Sequence, residues 1–241
     1  MYVSRLVCAL GLCCVLLGAC VATVREVPQS YTVRAQDTLY SIAWRHDLDY
    51  RDLARWNNIG PDFRIAVGQV LMLGPREESG HERRAPAVLP GGTSRPRATD
   101  TQRPGTARPA PESQVPIPSN IARAWVWPTE HTSAPRPAPS GGIFLAGHVG
   151  QDVRAAYAGR VVYAGSGLRG YGNLIIIKHA ESLLSAYAHN REMLVHEGQE
   201  VATGQVIAHM GQDARQSPVL YFEIRQNGKP IDSIAFLTKT K

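Results

Sequence analysis

Between Pro75 and Pro118 the chain carries nine prolines, scattered among Ser, Thr, Gly and Arg with almost no aromatic residue. No apolar period of 2 or 3.6 runs through this stretch, so it has no face to bury and nothing to offset the entropy of ordering it. Its proline content favours extended backbone, and residues 74–123 are expected to form a disordered Pro/Arg-rich linker. That expectation divides the 241 residues into two blocks and excludes one domain running the length of the chain. Eight arginines (Arg76, Arg83, Arg84, Arg95, Arg97, Arg103, Arg108, Arg123) stand against five acids (Glu77, Glu78, Glu82, Asp100, Glu112) around it. A solvated spacer is preferred here over a segment attracted to an anionic wall or membrane.

Outside the linker there is material for real cores. Hydrophobic residues make up 44% of the chain and charged residues 19%, which excludes a wholly disordered protein. The formal net charge is +6, with 22 Arg against 4 Lys. Such a balance suits an anionic neighbour without choosing among them. All four cysteines (Cys8, Cys13, Cys14, Cys20) lie in the first 20 residues. The body of the chain therefore has neither an internal disulfide nor a thiolate metal site.

Those first residues have the form of an export signal. Arg5 gives a positive start, Leu6 to Leu17 is almost continuously apolar, and Gly18 and Ala19 are small. The apolar run falls short of the ~20 residues that span a bilayer. Leu17-Gly-Ala-Cys20 resembles a bacterial lipobox. The resemblance implies a signal peptide at 1–19, acylation (palmitate among the chains) on Cys20, and a lipidated N-terminus at 20–30. With Val21 rather than Asp after the Cys, it also implies the outer membrane, facing the periplasm.

Residues 31–73 read as a small βααβ unit. Tyr31-Thr-Val33 alternates like a strand. Asp37 or Thr38 can cap a helix whose Leu39, Ile42 and Ala43 share one face. Asp49 offers a second cap before Leu53, Ala54 and Trp56, Asn57 to Pro61 is turn chemistry, and Val67 to Leu73 returns as a strand. Tyr31-Thr-Val, Asp37-Thr-Leu-Tyr-Ser-Ile-Ala43, Leu53 with Asn57, and Val67-Gly-Gln-Val-Leu71 together resemble the LysM module. One departure is Gln36, where the family usually has Gly. The resemblance implies a peptidoglycan-binding groove for N-acetylglucosamine-containing glycans. It maps to Gln36, Asp37, Thr38 and Leu39 on one loop and Asn58, Ile59 and Gly60 on the other.

From 124 to 241 short strands recur with glycine turns. Strands are expected at Gly159–Ala164, Asn173–Lys178, Leu183–Ala188 and Leu220–Arg225, and Gly198–Ala208 reads as a paired turn with a strand on each side. This is the pattern of a mainly antiparallel β-domain. Gly159-Arg-Val-Val-Tyr-Ala-Gly165, Leu168 to His179, Leu184-Ser-Ala-Tyr-Ala-His-Asn190 and Tyr221-Phe-Glu-Ile-Arg225 resemble the LytM domain of lysostaphin-type zinc peptidases. More closely, they resemble the NlpD-type murein hydrolase activators.

An active LytM peptidase holds zinc with a His-x-Gly-x-Asp stretch and the second His of His-x-His. Here those positions align with Ser140-Gly-Gly-Ile-Phe144 and with Val219-Leu-Tyr221, and only His189 remains. His148, His179, His196 and His209 do not pair at ligand spacing. No catalytic residue, metal or cofactor is therefore expected. A groove without chemistry would remain, lined by Ser140, Phe144, His189, Val219, Tyr221, Glu223 and Arg225. In the family such a groove docks the regulatory segment of a periplasmic N-acetylmuramoyl-L-alanine amidase. Three prolines between Glu130 and Ser140 predict that the groove's first edge is distorted or disordered.

The resemblance thus implies an outer-membrane lipoprotein that activates a cell-wall amidase during septum splitting and cell separation, with no nucleic-acid partner. Two alternatives stay open: an active zinc endopeptidase of wall cross-bridges, and a tether between wall and outer membrane.

Overall fold

The computed structural model of the chain describes residues 30–75, 125–180 and 182–238. The expected signal peptide, Cys20 and all but the ends of the expected lipidated stretch and linker lie outside the described residues.

The N-terminal module runs β1 (Ser30–Thr32), α1 (Leu39–Arg45), α2 (Tyr50–Trp56) and β2 (Val70–Met72), with β1 and β2 antiparallel. Each helix starts where a short polar side chain can take up free backbone N–H groups. Thr38 caps α1 in a reciprocal box with Ser41, and Asp49 caps α2 by accepting from Arg51 N at 2.8 Å. Leu39, Ile42, Leu53 and Leu71 are fully buried between helices and sheet. Asn57 ties α2 to β2. Its amide donates to Leu53 O and Met72 O, and its carbonyl accepts from Met72 N at 2.7 Å. The return strand is shorter than the sequence suggests, because Gly68 turns at φ +86° and leaves Val67 exposed. Gln36 also sits at positive φ (+67°), which is the physical reason this position favours Gly.

The C-terminal domain is one antiparallel sheet. Its strands are β3 (Arg136–Pro137), β4 (Ile143–Ala146), β5 (Asp152–Arg154), β6 (Gly159–Gly165), β7 (Asn173–Ala180), β8 (Leu183–Met193), β9 (Glu200–Val201), β10 (Val206–Met210), β11 (Val219–Gln226) and β12 (Lys229–Ile231). The order is β3-β4-β11-β8-β7-β6-β9, with β12 beside β11 and β10 joining β5 to the far end of β8. A short helix, α3 (Ser233–Thr238), follows β12. The proline-rich edge keeps two ladder residues, Arg136 and Pro137, opposite Phe144 and Ile143. The paired turn expected at Gly198–Ala208 is not a hairpin: β9 goes to β6, while β10 goes to β5 and β8.

Both faces of this sheet are buried, and by different things. Ile143, Leu145, Ile175, Ile177, Tyr187, Leu220, Phe222 and Ile224 face a core closed by Trp125, Val153, Ile207 and Leu237. That core is drawn wholly from residues 125–237, so the domain holds its own hydrophobic centre. Leu174, Ile176, Leu184, Ala186, Ala188 and Tyr221 point the other way. They pack in one cluster with the N-terminal module.

Candidate functional site

The groove residues come from neighbouring strands in register. Tyr221 on β11 lies opposite Phe144 on β4 and Ala188 on β8. Side chains alternate along a strand, so Val219, Tyr221, Glu223 and Arg225 share one face. The structure brings Phe144, His189 and Tyr221 together. The Phe144 and His189 rings stack with centroids 6.3 Å apart, and Tyr221 meets Phe144 edge-on at 5.6 Å. Tyr171, which was not singled out from sequence, adds a fourth ring 5.5 Å from Tyr221. Ser140 reaches the same point from the β3–β4 turn, with its Oγ 2.7 Å from the Tyr221 hydroxyl.

A polar ladder continues along β11. The Tyr221 hydroxyl donates to Glu223, and Arg225 Nε donates to the other Glu223 oxygen at 2.6 Å. Glu223 and Arg225 are 0% and 2% exposed, so this ion pair is largely desolvated. Burial pushes the Glu223 carboxyl above the usual carboxylate range, against the pull of Arg225. Burial, with Glu223 beside it, also pushes the Tyr221 phenol up, so the phenolate is disfavoured. Burial lowers His189, opposed by Asp213. Val219 is buried as well, at the end of the row.

What covers the ladder is the N-terminal module. Arg225 Nη1 donates to Trp44 O at 2.9 Å, its guanidinium lies 3.9 Å over the Trp44 ring, and Nη2 pairs with Asp47 at 3.0 Å. Sequence reasoning missed this contact. The available signal was a cation and an anion two residues apart in an apolar strand, which need partners if they are buried.

In the N-terminal module the glycan candidates occupy two loops. Gln36, Asn58 and Gly60 are exposed, and Asp37, Thr38 and Ile59 are half-buried. Asp37 already accepts from Tyr31 OH, Arg34 N and Arg45 Nη2, and Thr38 is the α1 cap. Leu39 is fully buried, so its side chain belongs to the module core. Asp37 and Thr38 share a cleft with Pro61–Ile65, the loop after Asn58–Gly60. Arg160, Lys178 and Glu197 of the β-domain close its other side.

One Ser–His pair invites a nucleophile reading and does not support it. His179 Nδ1 donates to Ala158 O at 2.9 Å, and Nε2 lies 2.7 Å from Ser185 Oγ. Ser185 is fully buried within the sheet, out of reach of any substrate. Burial against Trp125 pushes the His179 imidazole down to about 4. The folded-state value lies below the unfolded one of ~6.5, so the neutral ring stabilises the fold above that pH. That contribution is lost as pH falls toward 4, by at most about 3 kcal/mol. Urea titrations at pH 7.5 and pH 4.5 check this. A loss of about 2–3 kcal/mol is expected, with a smaller loss in His179→Asn.

Among the described residues no group of three or more His, Cys, Asp or Glu is placed to hold a metal ion, and no helix is long and apolar enough to cross a membrane. Residues 138–233 match the model of peptidase family M23, and residues 31–73 match the LysM domain. A Pseudomonas aeruginosa protein named lipoprotein NlpD/LppB homolog is 42% identical over 244 residues, covering 92% of this chain and 82% of that protein. The Escherichia coli K12 protein named murein hydrolase activator NlpD is 38% identical over 257 residues, covering 86% of this chain and 67% of that protein. A second protein of that organism, named uncharacterized lipoprotein YgeR, is 41% identical over 214 residues, covering 86% and 80%. With a LysM module, an M23-type β-domain and this extent of identity to named lipoproteins, the chain belongs to the NlpD/LppB lipoprotein family.

Proposed function

We propose that the chain is a non-catalytic activator of a periplasmic N-acetylmuramoyl-L-alanine amidase, acting when the septal wall is split and daughter cells separate. In this reading 1–19 is removed, and acyl chains on Cys20 hold the protein in the outer membrane. Residues 31–73 bind wall glycans through the Gln36–Thr38 and Asn58–Gly60 loops, 74–123 spans the gap, and 124–241 engages the amidase.

The reading is supported by the side chains at the positions that the sequence resemblance aligns with the zinc ligands of such a peptidase. A catalytic zinc takes three nitrogen, oxygen or sulfur donors from the protein and keeps one position for water. Here Phe144 supplies no donor, and the Tyr221 phenol is held protonated between Ser140 and Glu223. Both Glu223 oxygens are engaged, one by Tyr221 and one by Arg225. This donor set does not suit zinc. An aromatic cluster beside a desolvated charge pair suits the recognition of a protein segment instead. The name of the Escherichia coli relative, a murein hydrolase activator, is consistent with that use.

The test is dye release from labelled sacculi, with zinc present, by the chain alone, each periplasmic amidase alone, and each pair. Release well above the sum of the single components is expected in at least one pair. Release by the chain alone would favour the endopeptidase. Silence throughout would favour the tether.

A further inference from the structure

The face of the β-domain that would meet a partner is already occupied within the same chain. Trp44 and Asp47 at the end of α1 hold Arg225 through a ring face, a backbone carbonyl and a carboxylate. The β11–β12 hairpin grips the loop that follows. Lys229 Nζ donates to Asp47 O at 3.1 Å, and Arg51 Nη2 donates to Asn227 Oδ1 at 2.7 Å. On the other side Arg45 Nη2 donates to Gly167 O at 3.3 Å, and the Lys178 ammonium lies 5.3 Å over the Tyr50 ring. Tyr221 and Tyr163, at 3% and 1% exposure, fall in the cluster shared by the two domains.

This contact joins an apolar patch to polar links at its rim, and it is imperfectly filled. Two open clefts run between the domains, one walled by Trp44, Asp47, Ser140, Tyr171 and Arg225, the other by Asp37, Phe63, Arg160 and Lys178. A contact with open clefts at its rim, joined by one ion pair and a few hydrogen bonds around a shared apolar patch, resembles those between domains that move relative to one another. About 50 residues of chain separate the two domains, enough to let one leave the other without unfolding either.

We propose that the LysM module is an internal occupant of the partner groove, and that amidase and module bind this face in mutual exclusion. The inference rests on the activator reading above. It specifies what the partner must bring: an acceptor for Arg225, either a carboxylate or the free carbonyls of a helix C-terminus, next to an apolar or aromatic side chain. A groove occupied most of the time weakens the apparent affinity by the fraction of molecules that are open.

Gly228 gives a way to open the contact without touching the groove. It sits at the hairpin tip at φ +72°, and a Cβ there would lie 2.4–2.5 Å from the backbone of Leu48 and Asp49. Gly228→Asn tolerates the left-handed backbone while driving its side chain into the module. Removal of residues 30–75 is the limiting case, since the β-domain keeps its own core.

Three soluble chains starting at Val21 would be compared: the wild-type sequence, Gly228→Asn, and the 30–75 deletion. Side-chain accessibility of Tyr221 and Tyr163 would be read by hydroxyl-radical labelling. Affinity for the amidase would be read by calorimetry without any wall present, so that glycan binding plays no part. Labelling at both tyrosines is expected to rise at least threefold in the two altered chains, and the amidase Kd to fall about tenfold or more. Unchanged Kd in the deletion, or wild-type tyrosines as reactive as those of the deletion, would overturn the proposal. If no chain bound any amidase, the activator reading would fail, and this inference with it.

Discussion

Replacing Arg225 with alanine is expected to cost about 3–5 kcal/mol of stability in the β-domain. The change leaves Glu223, fully buried, with the Tyr221 hydroxyl as its remaining side-chain partner and no cation to offset its desolvation. It also removes a guanidinium stacked on Trp44 and bonded to Trp44 O and Asp47. The double variant Glu223→Gln with Arg225→Met takes away both charges and keeps most of the volume. It is expected to recover most of the loss, because an uncharged pair has no uncompensated ion to bury. Urea unfolding of the three chains checks both statements. Equal stability of Arg225→Ala and the wild type would mean that the pair is solvated.

Ile42→Ala is expected to have the second large effect, and in the other domain. Ile42 is fully buried against Leu39, Leu53 and Leu71, and truncating such a side chain costs about 2–5 kcal/mol. A unit of 43 residues seldom holds more than about 3–5 kcal/mol from its own core. The module should therefore melt in a separate, lower transition, while the β-domain, with its independent core, keeps its own. Far-UV circular dichroism on heating would show two steps where the wild type shows later or merged melting. On the proposed function, pull-down by isolated sacculi would be lost with the first step.

The local signals in the sequence carried most of the architecture. Thr38 and Asp49 cap the two helices, as short polar residues before apolar periods should. The runs at Asn173–Lys178, Leu183–Ala188 and Leu220–Arg225 lie within the strands β7, β8 and β11. Strands of two to four residues, such as β5, β9 and β12, carry too few alternations to be read from sequence. The apolar neighbours of Gly68 read as a strand, but its positive φ makes a turn instead.

The groove was legible as a set of residues and not as an environment. Alternation along β11 brings Tyr221, Glu223 and Arg225 to one face, which follows from the strand period alone. That Trp44 and Asp47 cover this face depends on contacts between residues roughly 180 positions apart, and no local pattern encodes them. The near-continuous burial of Val219–Arg225 reflects cover on both sides of the sheet, one side from the β-domain itself and the other from the N-terminal module.

On the proposed function, this chain breaks no wall bond itself and causes an amidase to do so. The direct measurement is mass spectrometry of the material released from sacculi by the chain, by the amidase and by the pair. The expected result is that the pair releases free stem peptides with N-terminal L-alanine and peptide-free glycan strands, with peptide cross-bridges intact and nothing released by the chain alone. Cleaved cross-bridges in the sample treated with the chain alone would contradict the account.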